Sequence, residues 1–185
     1  MIAAAASLVG CGGQSSQDRP VVLENLPSFD FRGLIPGVTT VEQAKASGVV
    51  RDCFSTTDNQ THCSFMDNRV AGYSGYGAGT VVFKDSKFDW FSLTPGSEAY
   101  TGIFLALDKV YGPSCDTKQE VLKNAFGAKF ESETTTWCFA QGKLTLRERS
   151  KTEGIGKGDL DFFTKHPEED EKPPEELENY TSQTL

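Results

Sequence analysis

Histidine and closely spaced cysteine are scarce in this sequence, and their scarcity excludes the commonest metal and nucleophilic sites. The 185 residues include only two histidines, His62 and His166, and no two of the five cysteines lie two to four residues apart. Zinc sites need several such ligands at short spacing, and a nucleophilic triad needs an oriented base. We therefore expect no metal, cofactor or catalytic residue. We predict a non-enzyme in which His62 is an exposed or hydrogen-bonded strand residue.

Positive charge is also scarce, and its distribution argues against nucleic-acid binding. The formal net charge is −8, with 18 basic and 26 acidic residues and no basic stripe along the chain. Residues 165–185 hold seven acids and two bases, so this segment carries −5 of the total. Because it is rich in Pro and Glu and poor in apolar residues, we expect a disordered acidic tail. Its simplest role is a solvated end, and the alternative is a docking tail for a basic partner.

Long apolar runs are missing after residue 11. The longest clusters, such as residues 103–107, have only the length of a core segment, far below the roughly 18 residues that a membrane-spanning helix requires. The chain nevertheless contains 37% apolar residues, including thirteen Phe. This composition predicts a globular body with a real hydrophobic core.

The amino-terminal residues are similar to the lipobox of bacterial lipoprotein precursors. Residues 8–11 read Leu-Val-Gly-Cys, with small residues before a cysteine, and Gly, Gln and Ser follow. This resemblance implies a signal remnant over 1–10, acylation of Cys11, and a flexible tether over 11–30. No basic residue precedes the apolar stretch, so we expect a true start further upstream or a fragment. The alternative is a small-residue leader in which Cys11 is incidental. Gly12, rather than Asp, favours the outer membrane by analogy with enterobacterial sorting.

The four remaining cysteines predict two disulfides, for which three connectivities are possible. Two weakly similar halves narrow the choice, because each contains one cysteine before a strand and another on it. In the first half these are Cys53 and Cys63, and in the second half Cys115 and Cys138. Equivalent positions suggest equivalent bonds, so we predict Cys53–Cys63 and Cys115–Cys138.

The same repeat predicts the fold class and the domain boundaries. We expect two tandem units, 31–96 and 97–164, each with one helix and several antiparallel strands. Together they would form an α+β domain with a helix layer on a sheet layer. Residues 21–31 would be a linker or one added strand.

Capping and periodicity locate the two helices. Overlapping capping boxes at Thr39 and Thr40, followed by Gly48, predict a short first helix. A second helix should begin near Ser97 and end at Gly112. One face of this helix would carry the apolar positions: Tyr100, Ile103, Phe104, Leu107 and Tyr111.

Residues 72–80, rich in Gly and Tyr, supply the candidate binding site. The glycines precede a strand and lack a following Lys, so a phosphate loop is excluded. We predict a flexible hairpin or bulged loop on which Tyr73 and Tyr76 form a protein-binding patch. Trp90 and Trp137 are expected in the sheet core, and the alternative for each is exposure at an interface. Four scattered carboxylates show no paired arrangement for general acid–base catalysis, and most acids are interpreted as surface charge: Asp85, Asp89, Glu131 and Glu133.

Residues 33–42, reading GLIPGVTTVE, resemble the opening motif of the SmpA/OmlA family of small outer-membrane lipoproteins, which includes the BamE component of β-barrel assembly. The doubled helix-plus-sheet pattern with a cysteine loop in each half is similar to the β-lactamase inhibitor protein fold. Tyr111-Gly112-Pro113, Thr136-Trp137 and residues 141–147 are similar to uncharacterised proteobacterial exported proteins. Together the similarities cover roughly residues 33 to 164.

These patterns favour a non-catalytic lipoprotein on the periplasmic face of the cell envelope, in the outer membrane. It would act as a protein-binding or assembly module for an envelope partner, with no small-molecule substrate. The alternative, implied by the second resemblance, is an inhibitor of a periplasmic or secreted hydrolase.

Overall fold

A computed structural model describes residues 26–124 and 126–165. The helices are α1 (Val41–Ala46) and α2 (Tyr100–Tyr111), the latter preceded by a 3₁₀ turn, Ser97–Ala99. The first five strands are β1 (Val50–Ser55), β2 (Gln60–Phe65), β3 (Arg69–Val70), β4 (Tyr73–Lys84) and β5 (Lys87–Pro95). The last four are β6 (Asp116–Lys123), β7 (Lys129–Phe139), β8 (Gly142–Arg147) and β9 (Asp159–Thr164). Neither helix has the length and apolarity that crossing a bilayer would require.

One antiparallel sheet dominates the molecule. Its strand order is β1-β2-β4-β5-β9-β8-β7-β6, and β3 pairs with β4 beside this path. Among the described residues, 51% are in extended β-structure and 15% are helical. The predicted α+β class, with a helix layer in each tandem unit, is therefore wrong. The fold is largely β, because the helical segments are short and most of the chain forms strands.

The two halves of the chain meet at the centre of this sheet. Strand β5, from the first half, pairs with β9, from the second, in direct register from Trp90–Phe163 to Leu93–Leu160. From this central pair the strands of each half follow outward in reverse chain order, β4, β2 and β1 on one side and β8, β7 and β6 on the other. Residues 31–96 and 97–164 thus contribute to one sheet rather than to separate layers.

The short helix α1 begins where the sequence predicts. Thr40 is its N-cap: its hydroxyl accepts from the Gln43 N–H at 3.3 Å, and the Gln43 side chain accepts from the Thr40 N–H at 2.9 Å. Of the two overlapping boxes only this one forms. The Thr39 hydroxyl instead donates to the Gly33 carbonyl and accepts from the Ile35 N–H, which closes the preceding turn.

The main core lies on one face of the sheet, where both helices add apolar side chains to it. Phe29 lies at its centre, fully buried and stacked on Phe162 with ring centroids 3.8 Å apart. It also contacts Phe139 and Tyr111. Residues 26–30 form no strand. The described part of the segment predicted as a linker or extra strand is thus irregular chain that delivers a core side chain.

Both predicted disulfides are present. Cys53 bonds to Cys63 and links β1 to β2, while Cys115 bonds to Cys138 and links the start of β6 to β7. Each bond closes a local loop, of sequence separation 10 and 23 respectively. The bonds therefore fasten the two outer pairs of strands of the sheet.

Candidate functional site

The face of the sheet opposite the helices, which we call the open face, carries a row of aromatic side chains. Cross-strand partners align five residues in direct register across five adjacent strands, β1, β2, β4, β5 and β9. Residues directly opposite one another share a face, so these side chains all point to the same side. We call them the aromatic row: Phe54, His62, Val82, Trp90 and Phe163.

The rings of the aromatic row contact one another in sequence. Phe54 stacks on His62 with centroids 5.6 Å apart, and Trp90 stacks on Phe163 at 5.7 Å. The His62 and Trp90 rings meet edge to face across β4, where Val82 is fully buried yet outside the main core. At the outer positions, Phe54 and Phe163 are 62% and 53% exposed. Within the part of the chain that the structure describes, the row is thus an apolar stripe whose two outer rings are accessible to solvent.

A second row, two residues along each strand, is polar. Thr80 lies opposite Ser92, Ser92 opposite Asp161, and Asp161 opposite Thr145. The alignment continues to Ser64 on one side and to Thr136 on the other. We call these six residues the hydroxyl row. Aromatic and hydroxyl rows lie side by side on one face because the side-chain period of a strand is two residues.

Asp161 is the titratable group at the centre of the hydroxyl row. Burial raises the pKa of Asp161 to about 6, against an ordinary value of 3.8. A hydrogen bond with Ser92 and the charge of Arg147 act in the opposite direction, while the neighbouring Asp159 adds to the increase. Arg147 is held by Asp159 itself, at 2.8 Å. The open face therefore keeps a carboxyl group whose charge is costly in the free protein, a feature that is enriched at functional sites.

The two tyrosines predicted to form the binding patch are not brought together. Of the predicted flexible hairpin or bulged loop, the structure shows a hairpin turn at residues 71–72, between β3 and β4, and an irregularity within the long strand 73–84. A register shift between Tyr76 and Thr80, where Gly77 and Gly79 have positive φ, makes the glycine-rich segment a bulge within that strand. The residues that flank the bulge pair with β5, and the Asn68 side chain donates to the Gly75 and Gly77 carbonyls.

Tyr73 and Tyr76 are three residues apart along the strand, so their side chains leave opposite faces. The Tyr73 ring packs on α2, since a Cβ added at Gly102 would lie 2.2 Å from its hydroxyl oxygen. The Tyr76 ring instead lies under the ammonium group of Lys157, 5.2 Å from its centroid. They remain 43% and 50% exposed.

The two tryptophans also lie on opposite faces of the sheet. Trp137 is buried as predicted, and its indole N–H donates to the Gly112 carbonyl at 3.0 Å. Trp90 belongs to the aromatic row and is only partly buried, so its expected place in the core is wrong. His62 lies on β2, and its Nε2 is 3.2 Å from the Gln60 Oε1. This satisfied position agrees with its interpretation as a strand histidine.

Other polar clusters hold the helices in place. The Tyr100 hydroxyl donates to the Glu133 carboxylate at 2.7 Å and contacts the Thr135 hydroxyl at 2.8 Å, and burial raises the pKa of Tyr100. Burial likewise raises the pKa of Tyr111 to about 12, and its hydroxyl donates to the Asp30 carbonyl. Both phenols thus stay protonated and act as donors that attach α2 to its neighbours.

The described residues contain no group of three His, Cys, Asp or Glu side chains placed to hold a metal ion. A concavity of about 620 Å³ lies at the β4–β5 turn and the end of β9. Lysines and carboxylates line it together, and Thr164 donates to Asp89 within it.

Cys11, His166 and residues 166–185 lie outside the described residues, so acylation and the nature of the tail stay predictions.

Sequence reasoning missed the aromatic row, although a signal was present. Trp90 and Phe163 share a strand parity with Ser92 and Asp161, whereas the core residues Phe91 and Phe162 occupy the alternate positions. No known protein family, curated protein or solved structure matches the chain significantly. The resemblances to assembly lipoproteins and to the β-lactamase inhibitor protein therefore stay hypotheses.

Proposed function

We propose that this protein is a non-catalytic cell-envelope lipoprotein that binds another protein through the open face of its sheet. The observation that carries the proposal is the aromatic row, in which Trp90 and Phe163 stack on a rigid strand pair and remain accessible. Accessible aromatic anchors bordered by polar side chains are typical of protein-binding surfaces. The rings are ordered before binding, so little side-chain entropy is lost on association.

The envelope location rests on two features. Residues 8–11 match a lipobox, and two disulfides fasten the body, as is typical of proteins in oxidising compartments. Acylation at Cys11 would place the protein on the periplasmic face of a membrane, with the outer membrane favoured by Gly12. In the native host, wild-type protein should fractionate with membranes and carry an acyl mass, whereas Cys11→Ser should be released. Equal release of both proteins would refute the lipid anchor.

Site-specific photocrosslinking tests the binding face. A photoreactive amino acid at Phe163 should crosslink one discrete envelope protein in the native host. The matched control is Leu105 of α2, which is 60% exposed on the helical side and should give no such product. With the identified partner purified, Phe163→Ser should weaken binding at least about tenfold, since aromatic anchors commonly contribute more than 1 kcal/mol. Crosslinking of the same protein with equal efficiency from both positions would contradict the proposal.

The identity of the crosslinked protein also separates the two functions. An assembly component would support a scaffold role. A hydrolase whose activity falls in proportion to the added non-acylated protein would indicate the inhibitor function instead, through the same face.

A further inference from the structure

The two outermost strands of the sheet differ in how their free edges are protected. At one end, β1 contains a register irregularity between Arg51 and Phe54, and Asp52 has a positive φ. Such bulges interrupt the row of backbone donors and acceptors at an edge. At the other end, all eight residues of β6 pair with β7 in unbroken register, from Asp116–Thr136 to Lys123–Lys129. In the part of the chain that the structure describes, β6 has a strand neighbour on one side only.

The hairpin turn identifies which backbone groups of β6 face outward. The Asn124 N–H donates to the Ala128 carbonyl, and the Gly127 N–H donates to the Asn124 carbonyl. Residue 124 is thus a hydrogen-bonded position, and such positions alternate along an antiparallel pair. Even-numbered residues of β6 therefore bond to β7. The N–H and C=O groups of Thr117, Gln119 and Val121 point away from the sheet.

Exposed apolar side chains accompany this edge. Val121 is 58% exposed, and Phe126, at the hairpin tip, is 95% exposed. The Asn124 side chain accepts from the N–H groups of Phe126 and Ala128, each at 3.0 Å, and so fixes the backbone direction at these two residues. Among the described residues no apolar side chain covers Phe126, so it adds with Val121 to the exposed apolar surface of this edge.

We propose that β6 pairs antiparallel with β6 of a second copy of this chain, with Gln119 opposite its own copy across a two-fold axis. A two-fold axis must pass between two copies of the same residue, and the outward backbone groups of β6 belong to its odd-numbered residues. Two registers meet these conditions and align most of the strand: one centred on Gln119 and one centred on Glu120. Centring on Glu120 sets two carboxylates face to face, which is unfavourable. Centring on Gln119 aligns residues 116–122 and sets each Lys118 opposite Glu120 of the other copy, two attractive pairs that would extend the ion pairs Lys118–Asp116 and Lys151–Glu120 present within each chain.

The same register accounts for the apolar residues. Val121 lies opposite Thr117 of the second copy, which would cover it from the side. Continuing the alignment places Phe126 level with residues 112 and 113 of the second copy, the Gly-Pro segment after α2. Charge complementarity and apolar burial thus select the same alignment, and this selection favours a second copy over an unrelated peptide strand.

Disulfide trapping tests the register directly. Full-length protein carrying Cys11→Ser and Gln119→Cys should form a covalent dimer under mild oxidation, because opposed Cα atoms at a hydrogen-bonded position lie about 5.5 Å apart, within disulfide range. Thr117→Cys in the same background is the matched control. Residue 117 lies on the same strand and the same face as residue 119. In the proposed register it is opposite residue 121 of the second copy, so the two introduced cysteines would be about 13 Å apart, four residues at about 3.3 Å each. Equal trapping at both positions, or at neither, would overturn the proposal.

A charge reversal tests the affinity. In sedimentation equilibrium, Lys118→Glu should raise the dimer dissociation constant about tenfold or more, since two attractive pairs become two repulsive ones. Lys123→Glu makes the same change in net charge outside the aligned residues and should leave the constant within about threefold of wild type. A monomeric wild-type protein at all concentrations, or equal effects of the two reversals, would refute the paired edge. Both assays are independent of the open face and its partner.

Discussion

Replacing Asp161 by Asn should stabilise the protein at neutral pH. The pKa of Asp161 is about 6 in the folded protein because of burial, against 3.8 for the ordinary carboxyl group. The unfolded state therefore loses this proton first as pH rises, and the free energy of unfolding falls between about pH 4 and pH 6. A difference of about two pKa units corresponds to about 3 kcal/mol once both states are ionised. Asn keeps an oxygen for Ser92 and carries no charge to bury, so this loss should disappear.

The measurement is urea unfolding of wild type and Asp161→Asn from pH 3.5 to 7.5, with disulfides intact. The difference in free energy of unfolding should be small near pH 3.5, grow as pH rises and level off above about pH 6.5 at about 2–3 kcal/mol in favour of the variant. Comparing the two proteins at each pH removes the titration of other carboxylates. Asp58→Asn, at the exposed β1–β2 turn, is the control and should match wild type throughout. A variant equal to or less stable than wild type at pH 7 would refute the reasoning.

Three further expectations concern the core, the register and the disulfides. Phe29→Ala should lower the free energy of unfolding by about 3–5 kcal/mol in denaturant titrations, as for other buried aromatic residues, because Phe29 is fully buried among aromatic rings. Phe162→Ser should also destabilise by more than about 3 kcal/mol, whereas Phe163→Ser, which is 53% exposed, should cost about 1 kcal/mol or less. Equal losses from these neighbours would mean that β9 is one residue out of register. Replacing Cys115 and Cys138 together by Ala should cost about 3 kcal/mol, measured in the same way, since their bond closes a loop of sequence separation 23.

Features set by neighbouring residues could be predicted from the sequence. The capping box at Thr40 depends on residues three positions apart, and the end of α2 depends on Gly112. The disulfide pairing followed from the internal similarity, because each bond closes a loop within its own half. In each case the decisive partner lies near in sequence or in an equivalent place of the other half.

Features set by tertiary placement could not be predicted. Whether the second face of a strand is covered depends on where the helices pack, and both pack on the side of Phe91 and Phe162. The sequence predicts Trp90 in the core because a large aromatic residue is usually buried, and only the arrangement of the whole sheet leaves its ring partly exposed. Phe29 gave no periodic signal, since a single side chain from irregular chain fills the centre of the core.

The open face and the free edge, proposed separately, have a joint consequence. A two-fold axis through Gln119 perpendicular to the sheet would extend the sheet across both copies and keep their helices on the same side. The aromatic rows of the two copies would then face in one direction on a continuous surface. A partner that presents two equivalent sites would bind this surface more tightly than a single copy, because the second contact becomes intramolecular. The position of β6 at the end of the sheet opposite β1 would thus let dimerisation strengthen binding without covering Trp90 or Phe163.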